Sequence, residues 1–184
     1  MTEVDVLRAA PLDRLAALLG HGVSSALIGR LVGSARLRTR LAGLISSRLG
    51  DLGDLDRHQV SALAMTPDGL LDLSTRAGVV WHAAAIARII DGASRRALLV
   101  ALGEHRYSLA LAGLGLAQPG ATLDPSPDGI VAAVAADGAA CLAAWCEAQP
   151  ATVAGRLRLI RPDGLPGTAH ATSGPAIVAW LLDR

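Results

Sequence analysis

The sequence of 184 residues has no lysine and no phenylalanine, and its only aromatic residues are three tryptophans and one tyrosine. Without lysine the chain cannot complete a phosphate-binding loop of the GxxxxGK[ST] type, nor form a Schiff base with a carbonyl substrate. So few aromatic side chains also argue against a platform on which nucleic-acid bases stack. P-loop nucleotide hydrolysis and lysine-based catalysis are therefore excluded, and we expect no nucleic-acid partner.

The charge of the chain is nearly balanced, with 17 arginines against 16 acidic residues. No global field therefore draws the protein to nucleic acid or to an anionic membrane, and an electrostatic partner must be met by a local patch. The length suits one sizeable core, so we predict a single domain over residues 1–184. If the chain is subdivided, the loop at residues 117–127 is where we expect the division.

Cysteine usage and the first residues indicate a cytoplasmic protein. Cys141 and Cys146 are five residues apart, which turns them about 140° from each other on a helix, so we expect buried, reduced thiols. The acidic start, with Glu3 and Asp5, lacks the cationic region of a signal peptide. The apolar run at 129–146 contains Asp137, which would cost about 2.5 to 3.5 kcal/mol in a bilayer, so we predict a buried core helix there.

Apolar residues recur at intervals of three and four, a pattern that predicts an all-α protein, which we interpret as a compact, orthogonal bundle of several helices. Thr66-Pro67-Asp68 and Ser126-Pro127-Asp128 are typical helix starts, and a helix is expected over about 78–90. The one exception is the segment at 153–160, where arginines alternate with leucines. It predicts a short strand or an irregular segment, although a helix with an arginine face fits the same pattern.

Arginines supply the candidate partner-binding residues. The region at 23–49 contains five arginines and no acid, and Arg36 and Arg40 are one helical turn apart. Such a cluster fits an acidic protein surface or a phosphate backbone, but a solvated helix face is the preferred explanation. The proposed partner-binding residues are Arg36, Arg38, Arg40, Arg156 and Arg158.

No catalytic, cofactor-binding or metal site is predicted. The five histidines are scattered, and no His-Glu-x-x-His motif is present. The cluster at 104–107 (EHRY) would point around most of a helix and cannot converge on a substrate. A small enzyme would need His82 or His105 to meet acidic residues from distant segments, which only the fold can decide.

Two stretches carry a family resemblance. Residues 81–92 (WHAAAIARIIDG) are followed by RRAL at 95–98, ALGE at 101–104 and YSLA at 107–110; CLAAW at 141–145 leads through Gln149-Pro150 to RLRL at 156–159. Over roughly residues 76–160, this pattern resembles the central and C-terminal helices of the SctK/YscK adaptors of bacterial type III secretion.

The resemblance implies a non-enzymatic protein–protein adaptor of the cytoplasmic sorting platform. Such an adaptor bridges the cytoplasmic domain of the inner-membrane ring and the SctQ-type pod protein. It would be peripheral to the inner membrane through protein contacts, without insertion and without a cofactor. Two alternatives stay open: a helical ligand-binding or regulatory domain with an apolar ligand in its core, and a small enzyme using His82 or His105.

Overall fold

A computed structural model describes residues 6–7, 9–20, 22–124, 126–161 and 170–184. Within these ranges the chain forms α-helices and one short 3-10 turn, and no strand, which confirms the all-α prediction. The 3-10 turn spans Leu114–Leu116. The helices are α1 (Leu12–Leu19), α2 (Ser25–Gly33), α3 (Ala35–Leu49), α4 (Arg57–Leu63), α5 (Pro67–Trp81), α6 (Ala83–Ala87), α7 (Gly92–Leu102), α8 (Glu104–Ala112), α9 (Pro127–Glu147), α10 (Ala151–Ile160) and α11 (Gly174–Leu182).

Short polar side chains begin several helices by accepting hydrogen bonds from backbone N–H groups that have no partner inside the helix. Ser126 accepts from the N–H of Gly129 at 3.1 Å before α9, and Asp91 accepts from Ser94 before α7. Asp56 and Gln59 form a reciprocal capping box at α4. These starts therefore follow from local sequence.

Two helical boundaries differ from the sequence-based expectation. The segment at 153–160 belongs to α10, so the predicted strand is wrong. Its buried positions Val153, Leu157 and Ile160 have helical spacing, and the arginine alternation misleads because Arg156 itself is buried. The helix expected over 78–90 is also wrong, because α5 continues through Gly78 to Trp81 before the short α6 begins.

The chain divides into two compact units, one built from Met1–Leu70 and Gln149–Asp163 and the other from Leu71–Ala148 and Gly164–Arg184. The division falls inside α5 and again between α9 and α10, whereas the loop at 117–127 lies within the second unit. Whether the two units act as a single domain stays a prediction.

In the first unit, α1 packs on α2, α2 packs on α3, and α10 contacts both α3 and α4. A buried arginine lies among the apolar side chains of this unit. The apolar side chains that are almost fully buried include Leu15, Ile28, Leu41, Ile45, Leu63, Val153, Leu157 and Ile160.

In the second unit, α9 is the central element, because both α11 and α7 pack against it. More than half of its apolar window is buried in the fold, at 56%. This helix is long and apolar enough to cross a membrane by length and composition alone, but the core of a globular fold explains the same pattern. The buried core beside it consists of Val79, Ala83, Ile86, Leu98, Leu102, Ala110, Ile130 and Val134.

Helices α5 and α9 approach each other through their backbones at a pair of glycines. A Cβ atom on Gly78 would overlap the carbonyl oxygen of Val134, and a Cβ on Gly138 would overlap that of Ser74. Ser74 and Gly78 are one turn apart on α5, as Val134 and Gly138 are on α9. Small residues at these positions are what allow the two helices to approach so closely.

The glycine contact gives a stability prediction. We expect Gly78→Ala to lower the free energy of unfolding by about 1 to 3 kcal/mol, because the added methyl group must displace backbone rather than a flexible side chain. Urea denaturation followed by circular dichroism measures the change.

The matched control is Gly43→Ala in α3, where an added Cβ would meet nothing within 4 Å. This change should raise the free energy of unfolding by up to about 1 kcal/mol, since alanine is the better helix former. Equal effects of the two substitutions would contradict the close approach at Gly78.

Candidate functional site

The first unit contains an apolar groove formed by α1, α2 and α3 and by Val23, which lies between α1 and α2. Leu41 is buried at its base, while Leu27, Leu37 and Leu44 are 37%, 38% and 54% exposed. On α3, residues 37, 41, 44 and 48 recur at intervals of four, three and four, so they share one helix face. The groove residues are Leu19, Val23, Leu27, Leu31, Leu37, Arg40, Leu41, Leu44 and Arg48.

Two of the groove residues are arginines. Arg40 is exposed, and no acid among the described residues pairs with it. Arg36, one turn before Arg40, is exposed as well. Because the sequence has no acidic residue between Asp13 and Asp51, neither α2 nor α3 contributes an acid that could neutralise these charges.

Other arginines of the predicted cluster cap helix ends. The Nε of Arg38 donates to the carbonyl of Val32 at 2.8 Å, and an Nη1 of Arg48 donates to the carbonyl of Leu18 at 2.8 Å. Both carbonyls belong to last turns, at α2 and α1, where carbonyls lack intrahelical partners and the helix dipole favours a cation. Arg38 is therefore tied to the fold, whereas Arg48 both caps α1 and lines the groove.

Arg156 and Arg158, the remaining predicted partner-binding residues, have different environments. Arg158 is exposed, whereas Arg156 is fully buried and donates to the carbonyls of Thr152 and Gly50, both at 2.7 Å. Burial lowers the pKa of the Arg156 guanidinium. A buried guanidinium is tolerated only when hydrogen bonds replace its water. Arg156 therefore joins α10 to the end of α3, and it is not available to a partner at the surface.

The second unit contains a histidine–aspartate cluster in which His82 meets an acid from a distant segment, the contact that the enzyme alternative required. The Nε2 of His82, just after α5, donates to one carboxylate oxygen of Asp137 at 2.6 Å, and the Nε2 of His170 donates to the other at 2.8 Å. The ring of Trp81 stacks on His170 with centroids 3.6 Å apart and planes 3° from parallel. His82 is 55 positions from Asp137, a separation that no local pattern reveals.

The geometry of this cluster fits an internal clamp better than a catalytic base. A carboxylate can only accept hydrogen bonds, so both rings direct their Nε2–H at Asp137. Each Nδ1 is buried and has no partner among the described residues. The side chains of His82 and His170 are 3% and 11% exposed and each Nδ1 is buried, so neither Nδ1 is accessible to a substrate in the way a general base must be.

The other sequence candidates for chemistry stay apart. His105 is exposed on α8, and Asp72, which lines the same cleft, is paired with Arg106 at 2.9 Å. Tyr107 is half-buried and packs on the core of the second unit. In the part of the chain that the structure describes, no group of three histidine, cysteine or acidic side chains could hold a metal ion.

Cys141 lies one turn after Asp137 on α9 and is fully buried. Burial, with a smaller contribution from the negative charge of Asp137, raises the pKa of its thiol to about 12. Gly174 of α11 packs so closely over this position that a Cβ there would lie 2.9 Å from the Cα of Cys141. Cys141 and Cys146 are both buried and neither forms a disulfide among the described residues, which confirms the expected buried, reduced thiols.

Comparison with known proteins identifies a relative. The chain is 30% identical over 156 residues to the nodulation protein NolU of Rhizobium fredii and, equally, to that of Sinorhizobium fredii (strain NBRC 101917 / NGR234). The alignment covers 82% of this chain and 69% of each relative.

The chain belongs to the NolU family.

The NolU match spans most of both proteins, so it covers more of this chain than the helical motifs at 76–160. No protein-family model matches the NolU-family chain, and no solved structure matches it either. Its groove and its histidine cluster are thus assigned from geometry alone.

The histidine cluster gives a second prediction. We expect Asp137→Ala to lower the free energy of unfolding by about 1 to 3 kcal/mol, because two buried imidazole donors lose their acceptor. The control is Asp72→Ala, which removes an exposed ion pair to Arg106 and should cost less than about 1 kcal/mol. Thermal denaturation of both variants measures the two losses of stability. Equal losses would contradict the role of Asp137 as the acceptor for both histidines.

The raised pKa of Cys141 predicts that the stability of the fold decreases at alkaline pH. Between pH 9, the ordinary thiol value, and pH 12, the unfolded chain ionises at Cys141 while the folded chain keeps the proton. Stability is therefore unaffected by this group below pH 9 and falls as pH rises toward 12. Urea denaturation at pH 8 and pH 10.5 should show a smaller pH-dependent loss in Cys141→Ala than in the parent chain. Equal losses would contradict the prediction.

Proposed function

We propose that this chain is a non-enzymatic protein–protein adaptor of a type III secretion sorting platform. In this role it bridges the cytoplasmic domain of the inner-membrane ring and the SctQ-type pod protein. The observation that carries the proposal is membership of the NolU family, since NolU is a rhizobial protein associated with type III secretion. The likeness of residues 76–160 to SctK/YscK adaptors supports the finer assignment.

The surface chemistry agrees with a binding role. An adaptor needs exposed groups that another protein can cover, and the first unit offers three part-exposed leucines beside the exposed, positively charged Arg40. In the histidine cluster, in contrast, the Nε2 atoms of His82 and His170 are both hydrogen-bonded to Asp137. Among the described residues, the groove is therefore the better candidate for a functional surface.

The proposed location is the cytoplasmic face of the inner membrane, reached through protein contacts. Helix α9, which has the length and apolarity of a span, packs against α7 and α11 in the second unit. It therefore has a use within the fold that competes with insertion into a bilayer. No nucleic acid and no cofactor enter the proposal.

Affinity capture tests the adaptor function. A tagged full-length copy is expressed at native level in its own bacterium and purified at moderate salt, and the proteins that remain bound are identified by mass spectrometry. We expect both a ring component and the pod component of the secretion apparatus. A clean deletion should also abolish secretion of type III substrates into the medium.

The control strain carries the tag on an unrelated cytoplasmic protein. Recovery of the chain alone, together with normal secretion in the deletion strain, would overturn the proposal. Recovery of only one of the two components would retain a link to secretion and overturn the bridging role.

A further inference from the structure

The leucine groove brings several part-exposed apolar side chains of the first unit around one depression. Leu27 on α2 and Leu37 and Leu44 on α3 face one depression whose base, Leu41, is 1% exposed. Single exposed leucines are ordinary, but several around one depression mark a site where another molecule removes them from water. The groove therefore lacks a covering element among the described residues.

The dimensions of the groove suit a helix. Its α3 wall runs from Leu37 to Arg48, which at 1.5 Å per residue is about 16 Å, or roughly three helical turns. The opposite wall is formed by Leu27 and Leu31, one turn apart on α2. An amphipathic helix that presents leucine-sized anchors at intervals of three and four residues fits between two such walls. A flat bilayer surface would not reach the base at Leu41.

The positive charge of the groove favours a partner segment with negative charge. Arg40 and Arg48 line it, Arg36 lies one turn from Arg40, and no acid occurs between Asp13 and Asp51. A helix with basic flanks would be repelled, whereas aspartate or glutamate beside its apolar stripe would find guanidinium partners. Partial removal of water by the surrounding leucines strengthens such pairs.

We propose that this groove binds an acidic amphipathic helix of a partner protein, with the leucines holding its apolar stripe and Arg40 and Arg48 pairing with its carboxylates. The inference rests on the proposed function for the identity of that partner, which would be a component of the secretion apparatus. It also goes beyond that function, because it names the face of this chain that docks and the chemistry of the segment that it accepts.

Photo-crosslinking in the native bacterium identifies the molecule that occupies the groove. The full chain is expressed with p-benzoylphenylalanine in place of Leu44, and the crosslinked peptide is sequenced by mass spectrometry. The matched control carries the same probe in place of Leu71, which is 53% exposed on α5 against 54% for Leu44. We expect the probe at position 44 to capture one acidic, amphipathic segment of another protein, and the probe at position 71 not to capture it.

The captured segment is then synthesised and titrated against the purified full chain by fluorescence anisotropy. Leu44→Glu and Arg40→Glu should each weaken the Kd at least tenfold, whereas Leu71→Glu and Arg96→Glu should leave it within about twofold. Both control positions are exposed in the second unit. Because all four substitutions are at exposed positions, circular dichroism should show an unchanged helical content.

The remaining outcomes separate the groove proposal from the proposed function. Crosslinks to a second copy of this chain, to its own residues, to lipid or to no molecule would assign the groove another role. If the parent chain captures the ring and pod components and the Leu44→Glu variant captures them equally well, the groove proposal falls and the adaptor function stands. If the probe captures an acidic amphipathic helix from a protein unrelated to secretion, the groove proposal stands and the proposed function falls.

Discussion

The second unit depends on the backbone contact between α5 and α9 at Gly78 and Gly138. This contact sets where the polar cluster forms, because His82 is one turn after Gly78 and Asp137 directly precedes Gly138. Cys141, one turn beyond Asp137, is covered by α11 where Gly174 also approaches closely. Three glycines thus place the imidazole, the carboxylate and the thiol, since any side chain at those positions would hold the helices apart.

The first unit relies on arginines in a comparable way. Arg38, Arg48 and Arg156 donate to carbonyls at the ends of α2, α1 and α3, where the helices expose acceptors that need partners. Arg14 adds a similar contact, since it donates to the carbonyls of Arg158, Leu159 and Arg161 at the end of α10. The guanidinium group suits this task because its several donors can hold a carbonyl while its stem packs on apolar neighbours. A chain without lysine therefore uses its only strong cation both for structure and for surface charge.

The proposed adaptor function requires contact with other proteins, and the exposed groove is the surface of the first unit that suits such contact. The histidine cluster shows why buried titratable groups alone do not indicate catalysis. His82, His170 and Asp137 converge as the residues of an active site would, but their hydrogen bonds are satisfied by one another and their remaining ring nitrogens are buried. The apolar groove, which has no reactive group, carries the stronger functional argument because Leu27, Leu37 and Leu44 remain partly exposed to water around one depression.

The sequence by itself determined the helical class and the local helix starts, because apolar spacing and capping residues such as Asp56 and Ser126 act within one or two turns. It also marked the acid-free arginine region as a candidate binding surface. Only the tertiary structure decided that Arg156 is buried, that Asp137 meets two histidines from distant segments, and that Leu44 is exposed while Leu41 is not. These outcomes depend on which helices pack together, and that choice is made by contacts between residues tens of positions apart in the chain.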